Sequence, residues 1–195
     1  MYVPGPAADA DTVDTIEGAL IAEMTDLRSA PAPSVAAEDH VDGPPDLPLV
    51  VLYGDFSCPR CALAHERLRA APLRRGFRHF ALSTRHPRAV ALACAAEAAG
   101  RQESFWAMHD LLFADPGRLD DPHLWQRVQR LGLDLERFES DRRDPEVLAR
   151  VRRDTRGGLR AGVGVTPTLL ADGRLHPGVP DASLLGELAD GSARP

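Results

Sequence analysis

The feature that most constrains this 195-residue chain is Cys58-Pro59-Arg60-Cys61, set between an apolar run and a helical pattern. Pro48 to Tyr53 (PLVVLY) reads as a short buried strand, and Gly54, Asp55, Phe56 and Ser57 as the turn that leaves it. A helix is expected from Pro59 to about Arg69, because proline at the first helical position gives up an N–H that has no intrahelical partner. Cys58 then sits at the helix N-terminus, where unpaired amides and the positive dipole end favour an anion. The thiolate is the reactive form of cysteine, so Cys58 is expected to be acidic and nucleophilic. Cys61, one turn inside, is expected to be buried and protonated, at a spacing that lets the two sulfurs reach disulfide geometry. Arg60 adds a positive charge beside the thiolate, which favours the reduced form and makes the disulfide more oxidising.

The next strand is expected at Phe77–Leu82, closing a β-α-β unit with a right-handed crossover. Helical patterns then follow over Arg88–Ala99, Ser104–Phe113, Pro122–Leu131, Leu135–Asp141 and Pro145–Arg160. Asp120 or Asp121 before Pro122, and Asp144 before Pro145, read as caps. Gly100 and Gly132 read as stops. Thr168–Leu170 and Arg174–Leu175 flank a hairpin turn at Ala171-Asp172-Gly173, and a last helix covers Asp181–Leu188. Strands at both ends of this order must meet in one sheet, so the chain reads as an α/β core with an inserted all-helical subdomain. The boundaries read as 46–86 and 164–195 for the core and 87–163 for the insertion. Residues 1–45 form a Pro-rich arm with one amphipathic helix, striped by Val13, Ile16, Leu20, Ile21, Met24 and Leu27. That stripe is expected to pack on the main domain or on a second copy, which would make a homodimer through the arm.

A net charge of -6 argues against a broad nucleic-acid footprint. No apolar run is long enough to span a bilayer, and MYVPGPAADADTVD has neither a basic nor an apolar leader region, so a cytoplasmic protein is expected. Three cysteines in a reducing compartment point to catalysis or metal binding rather than a structural framework. His65, four residues after Cys61, offers a third zinc ligand, but a structural zinc needs four and no second CxxC appears, so no metal is expected. Cys94, in AVALACAAEAAG, reads as an inert buried residue. His109 reads as packed and hydrogen-bonded, His79, His86 and His176 as surface or structural, and Phe105 and Trp106 as core. Arg142, Arg143, Arg150, Arg152, Arg153, Arg156 and Arg160 read as a solvated helix face, or else a docking face for acidic partners or an anionic thiol cofactor.

Thr166-Pro167 follows the glycine-rich GVGV and begins a strand; a cis bond there would expose the preceding backbone to an extended peptide. YGDFSCPRC, FRHFALSTRHPRA, FWAMHDLLF and GVTPTLLADGRLHPG, in that order, resemble the DsbA-like thioredoxin-fold proteins, with the cytoplasmic or antiporter-fused bacterial members nearest. The resemblance spans about His40 to Leu188. It implies a thioredoxin core with a helical insertion and a thiol–disulfide oxidoreductase acting on protein or small-molecule thiols without a cofactor. Cys58 would attack and Cys61 resolve, with Pro59 and Arg60 between them. Val165, Thr166 and Pro167 would form the substrate-facing cis-proline loop. Such proteins often carry a buried carboxylate six residues before the first cysteine; here that position is Leu52, so proton transfer at Cys61 is expected to rely on water. The Pro-Arg dipeptide also differs from the Pro-His of strongly oxidising members. Two alternatives stand beside this reading. One is an enzyme like the kappa-class glutathione transferases and their isomerase relatives, against which the CxxC argues. The other is a non-catalytic binding or dimerisation module.

Overall fold

The computed structural model describes residues 34–36 and 38–191; the amphipathic stripe of the arm lies outside them. Five strands form one mixed sheet in the order β1-β3-β2-β4-β5. They are β1 (His40–Asp42), β2 (Leu49–Gly54), β3 (Arg74–His79), β4 (Thr168–Ala171) and β5 (Arg174–Pro177). β2 runs parallel to β3 and antiparallel to β4, while β1 and β5 are antiparallel edges. α1 (Pro59–Ala70) joins β2 to β3. Between β3 and β4 come α2 (Ala89–Gly100), α3 (Phe105–Ala114), α4 (Asp121–Arg130), α5 (Leu135–Asp141) and α6 (Pro145–Arg160), and α7 (Ala182–Ala189) follows β5. This is a thioredoxin fold with a helical insertion. No helix among the described residues is long and apolar enough to cross a membrane.

Two elements depart from the sequence expectation. β3 covers Arg74–His79 instead of Phe77–Leu82, because its polar start has partners that a local pattern cannot show. Arg75 reaches Asp42 and Asp110 at 2.7 and 2.8 Å, and Arg78 reaches Asp39 at 2.7 Å and the Tyr53 hydroxyl at 2.9 Å. Phe80 leaves the sheet to pack on Tyr53, although its N–H still donates to the Gly54 carbonyl at 2.8 Å. The second departure is β1, a three-residue edge strand inside the stretch read as arm. The hairpin forms as expected: Ala171 pairs with Arg174, and Asp172 and Gly173 both take positive φ, as a two-residue turn of this hand requires.

The core wraps both faces of β2, whose Val50 to Tyr53 are all at most 2% exposed. One face packs Leu52, Phe56, Phe77, Phe113 and the alanine-rich α2; the other packs Val51, Tyr53 and Phe80 against Val163 and Leu170. α2 is sealed to the sheet by Glu97, which is buried. Its carboxylate accepts from Arg150 at 2.9 Å and lies 2.7 Å from His40 and 2.8 Å from His79. This single group ties β1, β3, α2 and α6 together. Within the arginine run, Arg150 is spent on Glu97 and half-buried Arg142 on Asp121 and Glu139, whereas Arg143, Arg152, Arg153, Arg156 and Arg160 are exposed, as a solvated face requires. Although burial pushes the Glu97 carboxyl up, the hydrogen bonds from His40 and His79 hold it well below the usual carboxylate range. A depressed carboxyl stabilises the fold above its unfolded pKa and loses that contribution as pH falls through the folded value. Glu97→Ala strips the partner from Arg150 and is expected to destabilise the protein by about 3 kcal/mol at neutral pH, measured by denaturant unfolding.

Candidate active site

The sheet register brings the two motifs together. Tyr53 near the end of β2 pairs with Thr168 at the start of β4, so the segment leaving β2 and the segment entering β4 emerge side by side. Cys58 lies four residues beyond Gly54, and Thr166 two residues before Thr168. The Cys58 sulfur sits 3.6 Å from the Thr166 carbonyl oxygen, across 108 residues of sequence. The Thr166–Pro167 peptide bond is cis.

The N-terminus of α1 is built unlike those of α4 to α7. Asp120, Asp134, Asp144 and Asp181 each cap their helix by accepting a backbone N–H on the carboxylate. α1 is preceded by Cys58, in extended conformation, with no side-chain cap and with Pro59 in the first turn. Its first amides are therefore left for the cysteine sulfur. Cys58 and Cys61 are free thiols, 6% and 0% exposed. The Cys58 thiol is lowered from its ordinary value to about 5. The largest cause is a hydrogen bond from the Cys61 thiol, opposed by burial and aided by Thr166 and by the amides of Cys61 and Arg60. Cys61 is pushed strongly the other way by its partner sulfur and by burial, and so remains a thiol throughout the physiological range.

Arg60 contributes its backbone N–H to the groups that lower the Cys58 thiol. Its guanidinium is turned toward Gly178, whose N–H donates to the Pro167 carbonyl at 2.8 Å. Val165 presents an exposed side chain, and its carbonyl accepts the Thr168 hydroxyl at 2.7 Å. His65 is buried beside His109, its Nε2 3.7 Å from Asp110. Burial lowers His65 to about 4 and His109 to about 3. Among the described residues the groups with metal-ligand geometry are His40, His79 and Glu97, and His65, His109 and Asp110; neither contains a cysteine. In each, an arginine already holds the carboxylate. Cys94 is buried, and its thiol is pushed up to about 11 by burial, as suits an inert residue.

The residue that sequence reasoning undervalued is Asp55. Its carboxylate is buried, with Oδ2 2.6 Å from His86 Nδ1 and Oδ1 accepting the Ser57 N–H at 2.8 Å. Both residues stand in segments singled out from the sequence, but nothing local pairs positions 31 apart.

The model of the DSBA-like thioredoxin domain matches residues 72–190. The chain belongs to that family. The matched stretch begins after Cys61, so membership rests on the insertion, the cis-proline segment and the last strands and helix, independently of the cysteine pair. Among curated relatives, a Na(+)/H(+) antiporter NhaA 1 of Salinispora arenicola is 42% identical over 146 residues, covering 72% of this chain and 22% of that protein. A Na(+)/H(+) antiporter NhaA of Herminiimonas arsenicoxydans is 37% identical over 180 residues, covering 88% of this chain and 28% of that protein. The chain therefore spans about a quarter of the length of these relatives. Among solved structures, a thioredoxin-like oxidoreductase from Silicibacter pomeroyi superposes with TM-score 0.71 at 25% identity, covering 80% of this chain and 93% of that one. The thiol-disulfide exchange protein alpha-DsbA2 of Wolbachia pipientis superposes with TM-score 0.69 at 18% identity, covering 95% and 100%, a likeness of fold.

The electrostatics give a direct expectation for thiol chemistry. A lowered pKa means that the thiolate fraction rises as pH rises through about 5. Alkylation of the reduced protein with iodoacetamide should label Cys58 with a midpoint near pH 5, while Cys61 and Cys94 stay slow at neutral pH. Mass spectrometry of the labelled peptides over a pH series measures this.

Proposed function

We propose that this DSBA-like domain catalyses dithiol–disulfide exchange, with Cys58 as nucleophile and Cys61 as resolving thiol. The observation that carries the reading is the pair of opposed thiols at the open N-terminus of α1, one lowered to about 5 and the other held protonated. In the reducing direction the Cys58 thiolate attacks one sulfur of a substrate disulfide. The substrate S–S bond breaks, its electron pair leaves on the second sulfur, and a Cys58–substrate mixed disulfide forms. Cys61 then loses its proton and attacks the Cys58 sulfur. This releases the remaining substrate thiolate and leaves a Cys58–Cys61 disulfide. Two electrons pass to the substrate, and the reverse sequence oxidises a substrate dithiol. Val165, Thr166 and Pro167 form the wall against which the substrate segment would lie, with Thr166 facing both sulfurs. An external thiol or reductase recycles the pair, and substrates are protein or small-molecule thiols and disulfides.

The acidity of Cys58 favours the reduced protein. At pH 7 only the interval between pH 7 and the lowered value counts, because an ordinary thiol is protonated there; Cys61 is protonated with or without its shift. Two units are worth about 2.7 kcal/mol, or roughly 60 mV for a two-electron couple. Equilibration against glutathione buffers is expected to place the pair above thioredoxin, whose potential is about -270 mV. A value below that would overturn the redox part of the proposal.

Cys61→Ser should stop turnover at the mixed disulfide. The trapped adduct should run as a covalent complex on non-reducing gels and dissolve with reductant. A variant that accumulates no adduct with any disulfide probe, while Cys58 remains alkylatable, would count against exchange.

A further inference from the structure

Asp55 holds the turn before α1 through both its side chain and its backbone. Its carboxylate accepts the Ser57 N–H at 2.8 Å, and its carbonyl accepts the Cys58 N–H at 3.0 Å. Its own backbone bears on the Cys61 sulfur. The remaining carboxylate oxygen reaches outward to His86 Nδ1 at 2.6 Å. The Asp55 side chain is 3% exposed and the His86 side chain 32%, so the pair runs from the interior beside the turn to solvent. A carboxylate only accepts hydrogen bonds, so His86 Nδ1 carries the proton between them.

His86 is itself anchored. Its N–H donates to the Leu82 carbonyl at 3.1 Å, and its carbonyl accepts the Ala89 N–H at 3.0 Å as α2 begins. Its neighbour Arg85 donates to the Gly164 carbonyl at 3.4 Å, on the segment that leads into Thr166. One short connection before α2 therefore holds both halves of the site, His86 on the cysteine loop and Arg85 on the cis-proline loop.

We infer that Asp55 and His86 form a positioning dyad that fixes the Ser57–Cys61 turn in its thiolate-binding geometry and so sets the acidity and redox poise of the cysteine pair. The inference rests on the exchange reading above. Its logic is local. The amides of Arg60 and Cys61 that stabilise the thiolate follow directly on the turn that Asp55 pins. Amide–thiolate interactions weaken steeply as their alignment is lost. A carboxylate left buried without His86 pulls the turn toward solvent.

The test compares wild type with His86→Ala and His86→Gln, reading the alkylation midpoint of Cys58, the equilibrium with glutathione and the thermal midpoint. His86→Ala is expected to raise the alkylation midpoint by at least one unit and to shift the redox equilibrium about tenfold toward the disulfide, or about 30 mV more reducing. His86→Gln, which restores a donor, is expected to recover most of that shift. An unchanged alkylation midpoint in a folded His86→Ala protein, whatever its thermal stability, would overturn the inference and leave the pair merely structural. If the alanine variant does not fold, His86→Leu, which fills the space but offers the Asp55 carboxylate no donor, is read in its place, and an unchanged alkylation midpoint there would overturn the inference. A wild-type Cys58 no more acidic than free cysteine would instead remove the exchange reading on which it stands.

Discussion

A helix that begins without a side-chain cap must satisfy its first amides in some other way, and in α1 those amides meet a sulfur. The proposed exchange chemistry depends on that substitution. Where Asp120, Asp134, Asp144 and Asp181 each close a helix with a permanent carboxylate, Cys58 closes α1 with a group that is an anion only when reduced. Oxidation to a disulfide takes the negative charge away from the helix terminus; reduction restores it. The stabilisation is thus tied to redox state, which is how a backbone feature becomes a bias on an electron-transfer equilibrium.

The remainder of the molecule keeps that terminus aligned. β2 runs through the middle of the sheet, buried on both faces, and delivers the turn at its C-terminal end. β4 pairs against it in a register that sets Thr166 beside Cys58. Glu97 joins the sheet to the insertion through His40 and His79 and joins α2 to α6 through Arg150, so polar contacts add to packing in holding the helices on the core. His86, in the connection before α2, reaches back to Asp55 and so ties that connection to the turn before Cys58.

Much of this was legible in the chain. The strand, turn and helix around Cys58, the Asp-Gly hairpin and the aspartate-capped helices are local events, decided within a few residues by proline, glycine and capping chemistry. Long-range pairing was not legible. β1 is too short to announce itself, and β3 begins at arginines that belong in a strand only because Asp42, Asp110 and Asp39 lie opposite. The arginines of α6 read as solvated and most are exposed, but Arg150 could not be singled out because its partner Glu97 lies 53 residues away on an alanine-rich helix.

The sequence by itself determined that Cys58 would stand at an open helix start, because such a start is written in consecutive residues. Only the tertiary structure decided what surrounds it. It turned the Arg60 guanidinium toward Gly178 while leaving the Arg60 amide beside the Cys58 sulfur. It also gave Asp55 a distant histidine for a partner. Side-chain direction and contacts across a sheet depend on how separate elements pack, and packing is a property of the assembled fold.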